Sequence, residues 1–289
     1  MDAYSTQPVG HGGRPCVLLL MSPPDSPTIP LPLIFGPFDP SGAAHLPADA
    51  IICAGLGAHA GAVATAIHVQ DTAGTETIPR LAPELIDDQA RCLLEDMAFG
   101  AMKIGPQYDP ETIAMLAQIA ADYSALPLVL QLTAPPVIPD LEDLDPEETI
   151  GALLELLLPQ AHLVVVDARL PEQWASQGLL SSARADDPVG ALHEFGAPLV
   201  LCCNEPMSPG LNGLTLHARD QASRRWSWPA QRVRTGDAES LLATVLCCLL
   251  ARGLDIGTAL PQAVTAATAL LERHFHPGMG QRIVLHAAS

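Results

Sequence analysis

Basic residues are scarce in this chain. One lysine, Lys103, and thirteen arginines stand against 32 acidic residues in a chain of 289, giving a net charge of -18 and a pI near 4.7. A phosphate backbone or an anionic bilayer must be met by clustered Lys or Arg, so this balance argues against nucleic acid and anionic membrane as partners. The seven cysteines are odd in number, lie mostly inside apolar runs and show no C-x-x-C spacing, which argues against a disulfide framework and a zinc site. Nor do the ten histidines show an H-E-x-x-H pattern, and they read as loop or core residues. No stretch of eighteen apolar residues free of charge and proline occurs, and no basic segment leads directly into an apolar one near Met1. Neither a membrane span nor a secretion signal is indicated, and the expected location is cytoplasmic.

What is present is a large apolar fraction, 48% against 16% charged, enough to bury one substantial core. Residues 1–30 are rich in Gly, Pro and Ser around the short patch Cys16 to Met21 and are expected to form a loosely held extension, with one domain over 31–289. From Leu31 onward short apolar runs alternate with longer amphipathic ones. Strands are predicted at Leu31–Phe35, Gly61–Val69, Ala101–Ile104, Leu126–Leu132, His162–Asp167 and Pro198–Cys203. Helices are predicted at Ala43–Leu56, Pro83–Met97, Pro110–Tyr123, Glu147–Leu158, Pro171–Gln177 and Pro188–Phe195. This alternation predicts an α/β fold with a mostly parallel sheet covered on both faces.

Two departures come late. Leu211 to Trp228 carries period-two apolar residues around the polar turn His217–Ser223 and reads as an antiparallel hairpin. Ser240–Arg252 and Leu260–His274 then read as two strongly apolar helices. The segment Arg232 to Asp237 falls between hairpin and helix, where free N–H groups and the helix dipole favour an anion. The acidic stretch Pro139–Glu148 reads as a solvated loop. Near the start, Gly36-Pro-Phe-Asp-Pro-Ser-Gly42 ends the first strand in a tight turn, the kind of sheet edge at which α/β proteins place ligands.

The order and spacing of these segments resemble the hydroxymethylpyrimidine/phosphomethylpyrimidine kinases of thiamine biosynthesis, members of the ribokinase-like superfamily. The resemblance runs from about Leu31 to Gly280. A family segment like GSDPSGGAGIQAD is met by Gly36 to Asp49, with Asp39-Pro-Ser-Gly42 and Ala48-Asp49 kept. LGVYGMSVITALTAQNT is met by Leu56 to Thr72, VKIGML by Met102-Lys-Ile-Gly-Pro106, and a late G-x-G turn by Gly278-Met-Gly280. The resemblance implies a three-layer α/β/α fold, ATP and Mg²⁺ as cofactors, an aminopyrimidine substrate and a homodimer. It implies that Asp49 and Gln70, with Gly36 at the strand end, grip the aminopyrimidine; their plainer readings are a capping carboxylate and a polar strand end. It implies that Asp237 and Gly236, within Arg234-Thr-Gly-Asp237, supply a base and an anion hole with Thr235 nearby. Asp237 also fits a first-turn acid.

The nucleotide side departs from the family pattern. Gln131 falls where the family's DPVM-type block has Asp. TPNxxE becomes Asp167-Ala-Arg-Leu-Pro-Glu172, which keeps Glu172 as a metal-side acid and puts Arg169 in place of Asn. VKGGH becomes Leu201-Cys-Cys-Asn-Glu205. Phosphoryl transfer is mostly positioning and charge neutralisation, so these losses bear on rate. Two functions follow as expectations. One is a kinase acting on 4-amino-5-hydroxymethyl-2-methylpyrimidine or its monophosphate. The other is a ribokinase-fold pyrimidine-binding or regulatory protein that has lost its nucleotide site. A kinase for pyridoxal or another small alcohol is weaker, because Asp49 with Gln70 suits the aminopyrimidine.

Overall fold

A computed structural model describes residues 29–134, 145–180, 187–229 and 238–285. All but the last two residues of the expected extension at 1–30, most of the acidic stretch at 139–148, and Thr235, Gly236 and Asp237 lie outside these residues.

The predicted alternation is borne out. Strands β1 (Pro32–Phe38), β2 (Gly61–Ile67), β3 (Val69–Gln70), β4 (Thr75–Thr77), β5 (Ala101–Ile104), β6 (Leu128–Leu132), β7 (Leu163–Asp167), β8 (Leu199–Ser208), β9 (Leu211–Ala218) and β10 (Arg224–Pro229) are followed by the short pair β11 (His274–Phe275) and β12 (Ile283–Val284). The helices are α1 (His45–Gly55), α2 (Pro83–Asp96), α3 (Pro110–Asp122), α4 (Pro146–Ala152), α5 (Arg169–Ser176), α6 (Pro188–Glu194), α7 (Ala238–Ala251) and α8 (Ile256–Leu271). Helix α4 runs on through a wide π-type turn at Leu153–Leu157, where a continuous α-helix was expected.

Several helix starts are written in the sequence as Asp-Pro. Pro fits the first helical position, which needs no N–H donor, and the preceding Asp satisfies an orphan amide. Asp109 accepts from Thr112 N at 2.8 Å, Asp145 from Glu147 N at 2.9 Å and Asp187 from Gly190 N at 2.7 Å, opening α3, α4 and α6. Asp39-Pro40 uses the same chemistry at a distance. The Asp39 carboxylate reaches the amides of Ala43 and Ala44 at 3.1 and 3.0 Å, just before α1.

Eight strands form one sheet in the order β10-β9-β8-β7-β6-β5-β1-β2. From β8 to β2 neighbouring strands are parallel, and β9 and β10 are antiparallel, as the hairpin reading predicts. Every residue of β5 and β6 is buried, and consecutive residues face opposite layers. Leu33, Phe35, Val164 and Val166 point into the layer of α2 to α6, while Ala101, Val129, Leu163 and Val165 point toward α7 and α8. Helix α7 lies across the middle of the second face, its residues buried almost all round from Ser240 to Leu250, as an apolar helix without a polar side must be. Strand β1 connects to β2 on one side, and the chain then returns to β5 on the other. The C-terminal ends of β1 and β5 therefore form the switch point at which open α/β sheets hold ligands.

Candidate functional site at the switch point

Gly36 lies near the end of the buried part of β1, and a side-chain carbon built on it would meet nothing within 4 Å, so open space stands beside the strand end. Beside it, Gly105 donates its amide to the Phe35 carbonyl at 2.8 Å and leads β5 into the loop that carries Tyr108. On the far side of β1, β2 runs into His68 and then into the two-residue strand that holds Gln70. His68 and Tyr108, both buried, are joined by a bond of 3.0 Å between Nε2 and the phenol oxygen. His68 Nδ1 lies 2.9 Å from Gln70 Oε1, and Thr75 Oγ1 donates to that same oxygen at 2.7 Å. The ring of His45 meets His68 edge to face, with centroids 4.8 Å apart. His45 itself has φ +57, a left-handed conformation at a position where the resembling segment carries Gly. Burial pulls the His68 pKa below the ordinary histidine range, against the bond from Gln70 and the nearby Asp39 charge, so the ring is neutral at pH 7.

Asp49 does not face this space. It is 3% exposed on the inner side of α1, and Lys103 Nζ, fully buried on β5, holds its two oxygens at 2.9 and 2.8 Å. Nζ also donates to Ser240 Oγ at 2.8 Å and Thr244 Oγ1 at 2.9 Å. The pairing expected between Asp49 and a pyrimidine is therefore replaced by an ion pair with the chain's one lysine. A carboxylate at that depth needs a counter-charge, and Lys103 occupies it. Through Ser240 and Thr244 this pair ties α1 and β5 to the first turns of α7, the helix that follows Gly236 and Asp237. Spacing brought Asp49 and Gln70 together in sequence; the fold separates their tasks.

A second concavity opens at the ends of β6 and β7. It measures about 300 Å³ and is lined by Leu132, Thr133, Ala134, Asp167, Arg169, Leu170, Gln173 and Glu239. Arg169 lines it, but its side chain is 79% exposed and folds back on Asp167, with Nε and Nη2 at 2.8 and 2.6 Å from the two carboxylate oxygens. Asn204 donates to Asp167 at 3.0 Å and also bonds Glu239. Burial raises the Asp167 pKa, yet the bonds from Arg169 and Asn204 outweigh it and hold the carboxyl below the usual range. Glu172, expected on the metal side, is exposed on α5 and is not among the lining residues, because the turn from Arg169 through Gln173 points a different face at the cleft. The carboxylates that do reach it are Asp167, which the sequence put at the end of a predicted strand, and Glu239, which sequence reasoning missed. His68, Thr75 and Tyr108 were missed as well. Only His68, two residues before Gln70 on the same side of an extended segment, left a signal that could have found it.

Among the described residues one group of potential metal donors gathers, Cys202, Glu205 and His217, within 4.8 Å of one another at the base of the hairpin. Glu205 is already engaged there by Arg225 at 3.0 Å and Thr215 at 2.6 Å.

The chain is similar to known proteins. A family model described as phosphomethylpyrimidine kinase matches residues 39–285. A thiamine biosynthetic bifunctional enzyme of Arabidopsis thaliana is 24% identical over 83% of this chain, and a hydroxymethylpyrimidine/phosphomethylpyrimidine kinase of Escherichia coli is 26% identical over 65%. The chain spans 45% and 66% of those two proteins' lengths. A kinase of the same description from Rhizobium meliloti is 29% identical, over 81% of this chain and 85% of its own. Among solved structures, a phosphomethylpyrimidine kinase from Clostridium difficile superposes with a TM-score of 0.66 at 21% identity, covering 83% of this chain and 98% of that one. The pyridoxal kinase of Staphylococcus aureus in complex with AMP-PCP and pyridoxal does so with 0.76 at 18% identity, covering 90% and 94%. These superpositions show the ribokinase-like fold.

Proposed function

The chain belongs to the phosphomethylpyrimidine kinase family, and we propose that it transfers a phosphoryl group from ATP to 4-amino-5-hydroxymethyl-2-methylpyrimidine or its monophosphate, a step of thiamine biosynthesis. What supports this reading is the family match together with the Gln70 carboxamide, held by His68 and Thr75 just past the end of β2, the neighbour of β1. An amide fixed at the mouth of a sheet edge suits a small planar heterocycle better than a flexible chain. Asp237 would accept the hydroxymethyl proton, and the amides near Gly236 and Thr235 would steady the transferred group. Lys103 and Asp49 would act through α7, by holding the helix that presents that loop.

The second cleft would take the nucleotide. Its donors include the carboxylates of Asp167 and Glu239, hard oxygens of the kind Mg²⁺ prefers, so these two residues fit the ion that accompanies ATP. Bound there, Mg²⁺ would supply neutralisation of phosphate charge. The same cleft supports a second reading. Arg169, the cation among its lining residues, already spends its Nε–Nη2 edge on Asp167. A pyrimidine-binding or regulatory protein that no longer turns over ATP fits that arrangement. Calorimetric titration with Mg-ATP and, separately, with the pyrimidine, followed by a phosphate-transfer assay on the same sample, decides the matter. Binding of both with product supports the kinase; pyrimidine binding without nucleotide binding assigns the second reading; binding of neither overturns both. A cytoplasmic homodimer belongs to the same proposal, and light scattering coupled to gel filtration checks its dimer part.

A further inference from the structure

We infer that His68 is a positioning residue that, with Thr75, fixes the polarity of Gln70, so that the site offers the ligand only N–H donors at this point and selects an aromatic ring with an unprotonated ring nitrogen. The inference deepens the pyrimidine reading given above and rests on it. A carboxamide can turn end for end at little steric cost, presenting either its oxygen or its NH₂ to a ligand. Which end faces outward decides what it recognises. Here Gln70 Oε1 is the meeting point of two neighbours, His68 Nδ1 at 2.9 Å and Thr75 Oγ1 at 2.7 Å. A carbonyl oxygen only accepts, so Nδ1 carries its hydrogen and Thr75 points its hydroxyl the same way. With Nδ1 protonated and the ring neutral, His68 Nε2 is the acceptor, and the Tyr108 hydroxyl donates to it at 3.0 Å. The two bonds to Oε1 thus go with the Nδ1–H tautomer, and both ring nitrogens of a buried imidazole are used. Both lone-pair directions of Oε1 are occupied. Gln70 Nε2 makes no hydrogen bond among the described residues and remains to meet a ligand.

A donor pair fixed in this way matches the in-plane lone pair of a pyrimidine nitrogen. It cannot accept from the exocyclic amine, whose hydrogens must find another oxygen. The resemblance has Asp49 and Gln70 grip the aminopyrimidine together; with Asp49 held by Lys103, Gln70 meets the ring nitrogen without it. The two segments quoted from the resembling family place Gly and Thr where this chain has His45 and His68, so the imidazole pair, stacked edge to face at 4.8 Å, is a device of this chain.

The test is calorimetric binding on the full chain with two probes. One is 4-amino-5-hydroxymethyl-2-methylpyrimidine. The other is 2-amino-4-methylbenzyl alcohol, which keeps every substituent and replaces both ring nitrogens by C–H. The wild type is expected to bind the pyrimidine at least about tenfold more tightly than the benzyl analogue, because the analogue leaves a donor unpaired. Gln70→Glu keeps an oxygen for His68 and Thr75 but turns a second oxygen toward the ring nitrogen; pyrimidine affinity should fall about tenfold or more. His68→Leu and Thr75→Val should bring the two probes close together, while His68→Asn, whose amide N–H stands near the place of Nδ1–H, should restore the preference. Thermal melts identify any variant that has lost its fold, and Thr75→Val, a near-isosteric change on a two-stranded ribbon, keeps the question open to refutation if His68→Leu unfolds. Unchanged pyrimidine affinity in Gln70→Glu, or an undiminished preference in His68→Leu or Thr75→Val, overturns the inference while leaving the pyrimidine reading standing. A wild type that binds neither probe overturns that reading, and this inference with it.

Discussion

Lys103 carries the chain's one ammonium into a fully buried position, and its partners there are Asp49, Ser240 and Thr244. Removing either charge leaves the other buried without compensation, which costs about 3–5 kcal/mol, whereas replacing both by apolar groups of similar volume is often close to neutral. Asp49→Ala and Lys103→Met are therefore expected to lower stability by about that amount in urea titrations, and Asp49→Leu combined with Lys103→Met to recover most of it. If Asp49→Ala proves as stable as the wild type, the ion pair is not what holds α7 in place. His68 yields a pH dependence of known sign. Burial depresses its folded pKa, so below about 6.5 the unfolded chain takes up a proton that the folded chain resists. Stability is then lost as pH falls, by at most about 1.4 kcal/mol per pH unit from this ring. The urea midpoint should drop between pH 7.5 and 5.5 by more in the wild type than in His68→Asn; equal drops would show that His68 titrates freely. At this scale Gln70 was legible from spacing, and the oddity of a lone lysine was visible too. That Asp49 belongs to Lys103 was not, because 54 residues separate them and only the packing of α1 against β1 and α7 brings the carboxylate to β5.

Helices announced themselves where local chemistry was strong. Asp109-Pro110, Asp145-Pro146 and Asp187-Pro188 each open a helix, and Asp109→Ala should cost about 0.5–2 kcal/mol through the lost bond to Thr112. A shift of the urea midpoint with unchanged slope would register it, and no shift would show the cap to be redundant. Short elements were less legible. The ribbon of β3 and β4 and the pair β11 and β12 are two or three residues long, too short for any periodicity to show. They nevertheless hold the site's edge. Thr72, in the turn between β3 and β4, receives Gly280 N on its hydroxyl at 3.1 Å and Gln281 N on its carbonyl. A side-chain carbon on Gly280 would fall 1.8 Å from that carbonyl oxygen, so Gly280→Ala must push the turn away. The expected result is a loss of about 1–3 kcal/mol together with weaker pyrimidine binding, since Gln70 sits two residues before Thr72. Wild-type affinity in Gly280→Ala would mean that the ribbon keeps its shape without this contact.

On the scale of the molecule, the two readings of function differ in what stabilises the fold. A ligand that binds only the folded chain adds about 2.7 kcal/mol at a hundred times its dissociation constant. The kinase reading expects both Mg-ATP and the pyrimidine to raise the melting temperature. The regulatory reading expects the pyrimidine alone to do so, and a response to Mg-ATP alone would sink the assignment of the switch-point site.

The sequence by itself determined the architecture: strand and helix alternation, the late hairpin, the Asp-Pro helix starts and the resemblance on Gly36–Asp49 and Leu56–Thr72 all follow from local periodicity and turn chemistry. Burial of apolar strands on both faces leaves few other arrangements for such a pattern. The tertiary structure alone decided which polar residues meet. It paired Asp49 with Lys103, set His68 and Thr75 on one oxygen of Gln70, and gave Asp167 and Glu239 rather than Glu172 to the second cleft. Hydrogen bonds and ion pairs act over about 3 Å, and residues distant in sequence come within that reach only after the sheet has been assembled.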